Sequence, residues 1–135
     1  MDKKYDSISG EWFLKGDNDI KNAQILFDHG GSNEGVCFLA QQGAEKYLKG
    51  FLVFNNKIYR LTHDLYTTLK DCGEIDEDFL GLGEKCKFLT AYYIESRYPT
   101  GVDEFTRDEA EEALDAAYFI IGFVNKKIED EEKEK

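Results

Sequence analysis

Proline occurs once in this chain, at position 99 of 135. Proline removes a backbone donor and breaks helices, so its near absence leaves the chain free to build long ones. The apolar spacing uses that freedom. Trp12, Gly16, Ile20, Ala23 and Phe27 recur at steps of three and four. Val36, Ala40, Ala44, Leu48, Phe51 and Leu52 form a second stripe. Ala110, Leu114, Ala117, Ile121, Val124 and Ile128 form a third, with steps alternating between four and three. These are helical stripes, not the period-two alternation of strands.

Local punctuation divides the chain into five helices. Gly30-Gly31-Ser32-Asn33 separates the first two and supplies an N-cap. Thr62 is placed to cap a short third helix through about residue 71, which Cys72-Gly73 would close. Asp76 is placed to cap a fourth, with Phe79, Leu82, Cys86, Leu89 and Tyr93 on one face. Pro99 disfavours helical geometry at Tyr98, so that helix should end near Arg97. Thr106 and Glu109 have capping-box spacing and open the fifth. The pattern predicts an all-α, up-and-down antiparallel bundle of four long helices and one short one. A single domain is expected over residues 9–128, followed by a charged tail at 129–135 that is expected to fray.

Composition narrows the function classes. The net charge is −11, which disfavours DNA and anionic membranes as default partners. No apolar run approaches the ~20 residues that span a bilayer. No signal peptide is visible behind Met1-Asp2-Lys3-Lys4-Tyr5, so a cytoplasmic location is expected. Cys37, Cys72 and Cys86 lack paired CxxC spacing and read as free thiols, not as zinc ligands or a disulfide framework. Two histidines are too few for a His-rich metal centre. No dinucleotide fingerprint, P-loop, HExxH or nucleophile elbow is present, and no cofactor is called for.

The charge is unevenly spread. Between Gly35 and His63, four bases (Lys46, Lys49, Lys57 and Arg60) face one acid, Glu45. That stretch is net +3 and the remainder net −14. Within it Gln42, Glu45, Lys46 and Lys49 fall at steps of three and four, and share a helix face. Two readings stand. The face is either solvated, with a Glu45–Lys49 pair worth a few tenths of a kcal/mol, or a polar groove for an anionic group. Thr62-His63-Asp64 also reads two ways: a helix start, or a general acid or base at His63. Arg97-Tyr98-Pro99 is a helix stop, or a guanidinium placed to bind phosphate.

Taken in order, these motifs resemble the HEPN family (higher eukaryotes and prokaryotes nucleotide-binding domain). The resemblance rests on Trp12-x3-Gly16-x2-Asp19-Ile20-x2-Ala23, Ala40-Gln41-Gln42-x-Ala44-Glu45-Lys46-x-Leu48-Lys49, Thr62-His63-Asp64-Leu65 and Arg97-Tyr98-Pro99. It runs from about residue 9 to 128. Gly16 stands where the family usually has alanine. The resemblance implies an up-down bundle, a homodimer, and pairing with a minimal nucleotidyltransferase in a toxin–antitoxin arrangement. It also implies a nucleotide or phosphate ligand near Gln42, Glu45, Lys46, Lys49, His63, Asp64, Arg97 and Tyr98. Many members are metal-independent ribonucleases with an Arg-x4–6-His motif, in which His assists 2′-hydroxyl attack and Arg stabilises the phosphorane charge. Here the corresponding positions after Arg97 are Val102, Asp103 and Glu104, so that motif is incomplete. The leading expectation is therefore a binding module. A ribonuclease using His63 and Arg97, with RNA as substrate, is the alternative, and a purely structural interaction module is the third. Tyr92, Tyr93, Tyr98, Phe119 and Phe123 are the expected source of a dimer surface, unless the bundle buries them.

Overall fold

The computed structural model describes residues 3–5, 7–97 and 105–134, and of Lys3 and residues 93–97 the backbone alone. It is all-α. A short 3-10 turn at Lys3–Tyr5 precedes α1 (Ser9–Asp28), α2 (Asn33–Phe54), α3 (Leu65–Ile75), α4 (Gly83–Arg97) and α5 (Arg107–Glu134). Among the described residues, no helix is long and apolar enough to cross a membrane.

Helix α2 is the axis of the bundle and touches α1, α3, α4 and α5. Its sequence explains the position, because apolar residues occur on several of its sides. Val36, Ala40, Tyr47, Leu48, Phe51 and Leu52 are all buried. A helix apolar around most of its circumference belongs inside. Around it the core gathers Phe13 from α1, Leu65 and Leu69 from α3, Leu89 from α4, and Ile120 and Val124 from α5. Phe51 and Phe79 pack at 4.5 Å between ring centres, and Phe79 meets Phe123 edge-on at 5.0 Å.

Helices α1 and α2 pack tightly at Gly16. A β-carbon added at Gly16 would lie 2.8 Å from the Tyr47 ring and 3.2 Å from the Gly43 carbonyl oxygen. An alanine at this position would have to displace a buried ring. Glycine therefore serves close packing here, at a cost in helix propensity.

Several local signals operate as expected. Ser32 caps α2 by accepting from the Gly35 N–H at 3.2 Å. Thr106 and Glu109 form a reciprocal capping box at 3.0 and 3.1 Å. Other expectations need correction. Asp64, not Thr62, caps α3, and its carboxylate accepts from the N–H groups of Tyr66 and Thr67. Thr62 instead accepts from the Asp64 N–H at 3.1 Å, which turns the chain into the cap. His63 therefore precedes the helix. Helix α3 also continues through Cys72-Gly73 to Ile75. Leu80 lies across Gly73, where an added β-carbon would meet it at 2.6 Å, so packing holds the glycine in the helix. Asp76 does cap, but it opens a 3-10 segment, Glu77–Leu82, that leads into α4. At the far end α5 stays helical through Glu134, with a Lys126–Asp130 pair at 3.1 Å in the charged stretch.

Two of the five aromatic residues expected to mark a dimer surface are internal. Tyr92 is buried between Phe88 and Phe105, and Phe123 packs on Phe79. Phe119 is exposed, beneath the Lys85 ammonium at 4.6 Å. The Tyr93 side chain and Tyr98 lie outside the described residues.

Candidate functional site

Three polar side chains of α2 are buried in one stripe: Gln41, Glu45 and Lys49, spaced i, i+4, i+8. The connection between α2 and α3 folds across this stripe. The Lys49 ammonium lies 3.2 Å from Glu45 Oε2 and donates to the Thr62 carbonyl at 2.8 Å. The Gln41 amide donates to Glu45 Oε1 at 3.4 Å and to the His63 carbonyl at 3.1 Å. His63 Nδ1 sits 2.9 Å from Glu45 Oε1. One carboxylate, 5 % exposed, thus meets a buried ammonium on one side and an imidazole on the other. The His63 side chain is 48 % exposed.

A buried charge persists only where its partners satisfy it. Here both Glu45 oxygens are engaged and Lys49 has a second acceptor. The same contacts pin the backbone at residues 62 and 63. Tyr59 adds to this, packing edge-on against Trp12 at 4.8 Å with the Lys49 ammonium 5.7 Å from its ring centre. A carboxylate on Nδ1 fixes the ring orientation and favours a proton on that nitrogen.

The expected shared face of Gln42, Glu45, Lys46 and Lys49 is divided between two neighbours. Lys46 pairs with Asp19 of α1, while Glu45 and Lys49 face the α2–α3 connection. Adjacent helical residues differ by about 100°, so one broad polar face meets two elements. Gln42 is half-buried, and its side-chain oxygen has no hydrogen-bond partner among the described residues. The solvated reading fails for Glu45 and Lys49, which are buried and paired. Arg60 makes a bidentate pair with Asp71 at 2.9 and 3.2 Å. Three of the four bases of the island therefore already have acidic partners.

Asp64 is exposed and occupied as the α3 cap. The Leu65 N–H donates to Thr90 Oγ1 at 3.0 Å, which ties the start of α3 to α4. Arg97 closes α4 seven residues, or two turns, beyond Thr90. Its side chain and Tyr98 lie outside the described residues.

A second polar cluster joins residues far apart in sequence. The Tyr47 hydroxyl donates to Asp17, and the Tyr5 hydroxyl donates to the other Asp17 oxygen at 2.5 Å. Buried Lys4 donates to the Tyr47 oxygen at 3.1 Å and to Asn125 at 2.9 Å. Burial first, then the Asp17 hydrogen bond, pushes the Tyr47 hydroxyl far above its ordinary range. Nothing in the sequence around Lys4 marks it as buried.

The three cysteines are buried free thiols. Burial pushes Cys86 up to about 12 and Cys72 higher still, so neither is a ready thiolate nucleophile. No cluster of three or more metal-ligating side chains occurs among the described residues.

A family model described as the HEPN domain matches residues 9–128. The chain belongs to the HEPN family. Its fold agrees with two solved structures. TT1696 from Thermus thermophilus shares 34 % identity over 88 % of this HEPN chain and 97 % of its own, with a TM-score of 0.76. An archaeal HEPN homologue, ST0689, shares 26 % identity over 90 % and 98 %, with a TM-score of 0.75. No curated protein sequence matches this HEPN chain at a significant level.

Proposed function

We propose that this HEPN domain is a homodimeric binding module that engages a nucleotide or another phosphorylated ligand through the face at His63. The observation that supports this reading is a half-exposed imidazole held at 2.9 Å by a buried carboxylate. Glu45 orients the ring through Nδ1, and a protonated ring offers a charge-assisted hydrogen bond to a phosphate oxygen. Lys49 holds Glu45 and the Thr62 carbonyl, so it acts on the ligand through position only. In this reading Arg97, at the end of α4, adds a guanidinium to the same ligand. Lys46 contributes less, because Asp19 already occupies it. A minimal nucleotidyltransferase is the proposed partner protein, with His63 at or beside the shared surface.

Calorimetry with ATP and GTP on the wild type, His63→Ala and Lys46→Ala tests the ligand. Binding should weaken at least about tenfold in His63→Ala, the loss of one charge-assisted contact, and change little in Lys46→Ala. No binding of either nucleotide at millimolar concentration removes the ligand from the reading.

The same dyad favours a second reading, because a carboxylate-oriented imidazole is also what proton transfer needs. Metal-independent RNA cleavage, with His63 as base and Arg97 as electrostatic stabiliser, would then disappear in His63→Ala. Cleavage unchanged by that substitution sinks it.

A further inference from the structure

Three large aliphatic side chains stand almost wholly in water, all at one end of the bundle. Ile58 is 92 % exposed, Leu61 95 % and Ile8 80 %. No other large hydrophobic among the described residues exceeds 54 %. Burying an aliphatic side chain of this size contributes about 1.5–3 kcal/mol, so solvent is a costly place to leave three together.

The segment that carries Ile58 and Leu61 is tethered. The Lys57 N–H donates to the Leu52 carbonyl at 2.8 Å, and Asn56 makes the turn at φ 62°. Tyr59 is anchored on Trp12, Arg60 on Asp71, and Thr62 on Lys49. Between these anchors Ile58 and Leu61 are held outward.

Beside these protrusions lies a recess. A cleft of about 680 Å³ is lined by Leu52, Ile58 and Ile75 together with six polar residues, the paired Arg60 and Asp71 among them. Lys57 and Glu74 are two others of the six. Both are exposed, and neither has an ion-pair partner among the described residues. A neighbouring cleft of about 600 Å³, with Val53, Phe54 and Ile8 in its walls, shares Lys57 with the first.

A twofold interface must be complementary to itself, with protrusion and recess on the same patch. This end of the bundle has both, and an unpaired charge of each sign. We propose that two copies of the chain associate here about a twofold axis. Ile58 of each copy enters the recess of the other, and Lys57 of each meets Glu74 of the other. The inference rests on the homodimer proposed above and gives it a surface, away from the aromatic cluster of α4 and α5. His63 follows Leu61 by two residues, so the candidate ligand face borders this joint.

Sedimentation equilibrium on the full chain tests the surface, with circular dichroism to verify that each variant stays helical. The wild type should be dimeric at micromolar concentration. Ile58→Asp with Leu61→Asp should weaken association at least about tenfold, as loss of central apolar contacts does. Lys57→Glu and Glu74→Lys should each weaken self-association by like-charge contacts. Mixing those two variants should restore the dimer, because each unlike pair is complementary at both ends of the axis. A wild type that stays monomeric overturns this surface and the homodimer together. A dimer that survives Ile58→Asp with Leu61→Asp, or a mixture that associates no better than either variant alone, overturns the surface and leaves the homodimer standing.

Discussion

Replacing Lys49 by methionine probes the buried layer most directly. Methionine keeps the length and the apolar stem, and removes the charge. Glu45 then loses its partner at 3.2 Å, and the Thr62 carbonyl loses its donor at 2.8 Å. Removing one member of a buried ion pair typically costs about 3–5 kcal/mol. The lower end applies here, because His63 remains 2.9 Å from Glu45 and is exposed enough to be solvated. A loss of about 3 kcal/mol is expected, which lowers the melting temperature of a domain this size by roughly 10 °C. Urea unfolding followed by circular dichroism reads the loss. Glu45→Leu alone should cost a similar amount, since it strands the ammonium. Combined with Lys49→Met, it should cost clearly less than the sum, because no unpaired charge is left inside. Strict additivity, or a Lys49→Met variant as stable as the wild type, would refute the argument that one buried pair holds this layer.

Three further outcomes follow from the packing and caps. Gly16→Ala should destabilise the fold by about 1–3 kcal/mol through displacement of the Tyr47 ring, and a neutral result in thermal melts would contradict the contact drawn from Gly16. Asp64→Ala should cost about 1 kcal/mol as loss of the α3 cap, and Thr62→Ala less; the reverse order in urea midpoints would return the cap to Thr62. The Lys127 hydrogen bond, chiefly, holds the Asp76 carboxyl below its ordinary range. A carboxyl lowered on folding contributes stability above its unfolded value, and loses it as pH falls through the folded value. Asp76→Asn, which keeps a capping side chain, should therefore flatten the fall in stability below about pH 4, while an unchanged acid limb would show that the pair contributes nothing.

The parts of the fold that were legible depend on residues close together in sequence. Stripe spacing located the long helices. Ser32 and the Thr106–Glu109 pair worked as caps because their partners lie three residues away. The third helix is ambiguous in sequence where two good capping residues, Thr62 and Asp64, stand two apart, and where Gly73 resembles a stop. Leu80, seven residues on, covers that glycine, and only the folded chain brings it there. The site followed the same division. Periodicity grouped Gln42, Glu45, Lys46 and Lys49, but could not say that α1 takes Lys46 while the α2–α3 connection takes Glu45 and Lys49. Lys4 reaches Asn125 across 121 residues, a pairing no local pattern encodes.

The chain has two histidines, and only His63 lies in the Glu45 layer, so one nuclear magnetic resonance titration contains its own control. Isotope-labelled histidine spectra are recorded while ATP is added to the wild type and to Glu45→Gln. The His63 ring signals should move saturably in the wild type, the His29 signals should stay in place, and the Glu45→Gln response should weaken at least about tenfold. Both rings moving together, or neither moving at millimolar nucleotide, would contradict a ligand face built on His63 and Glu45.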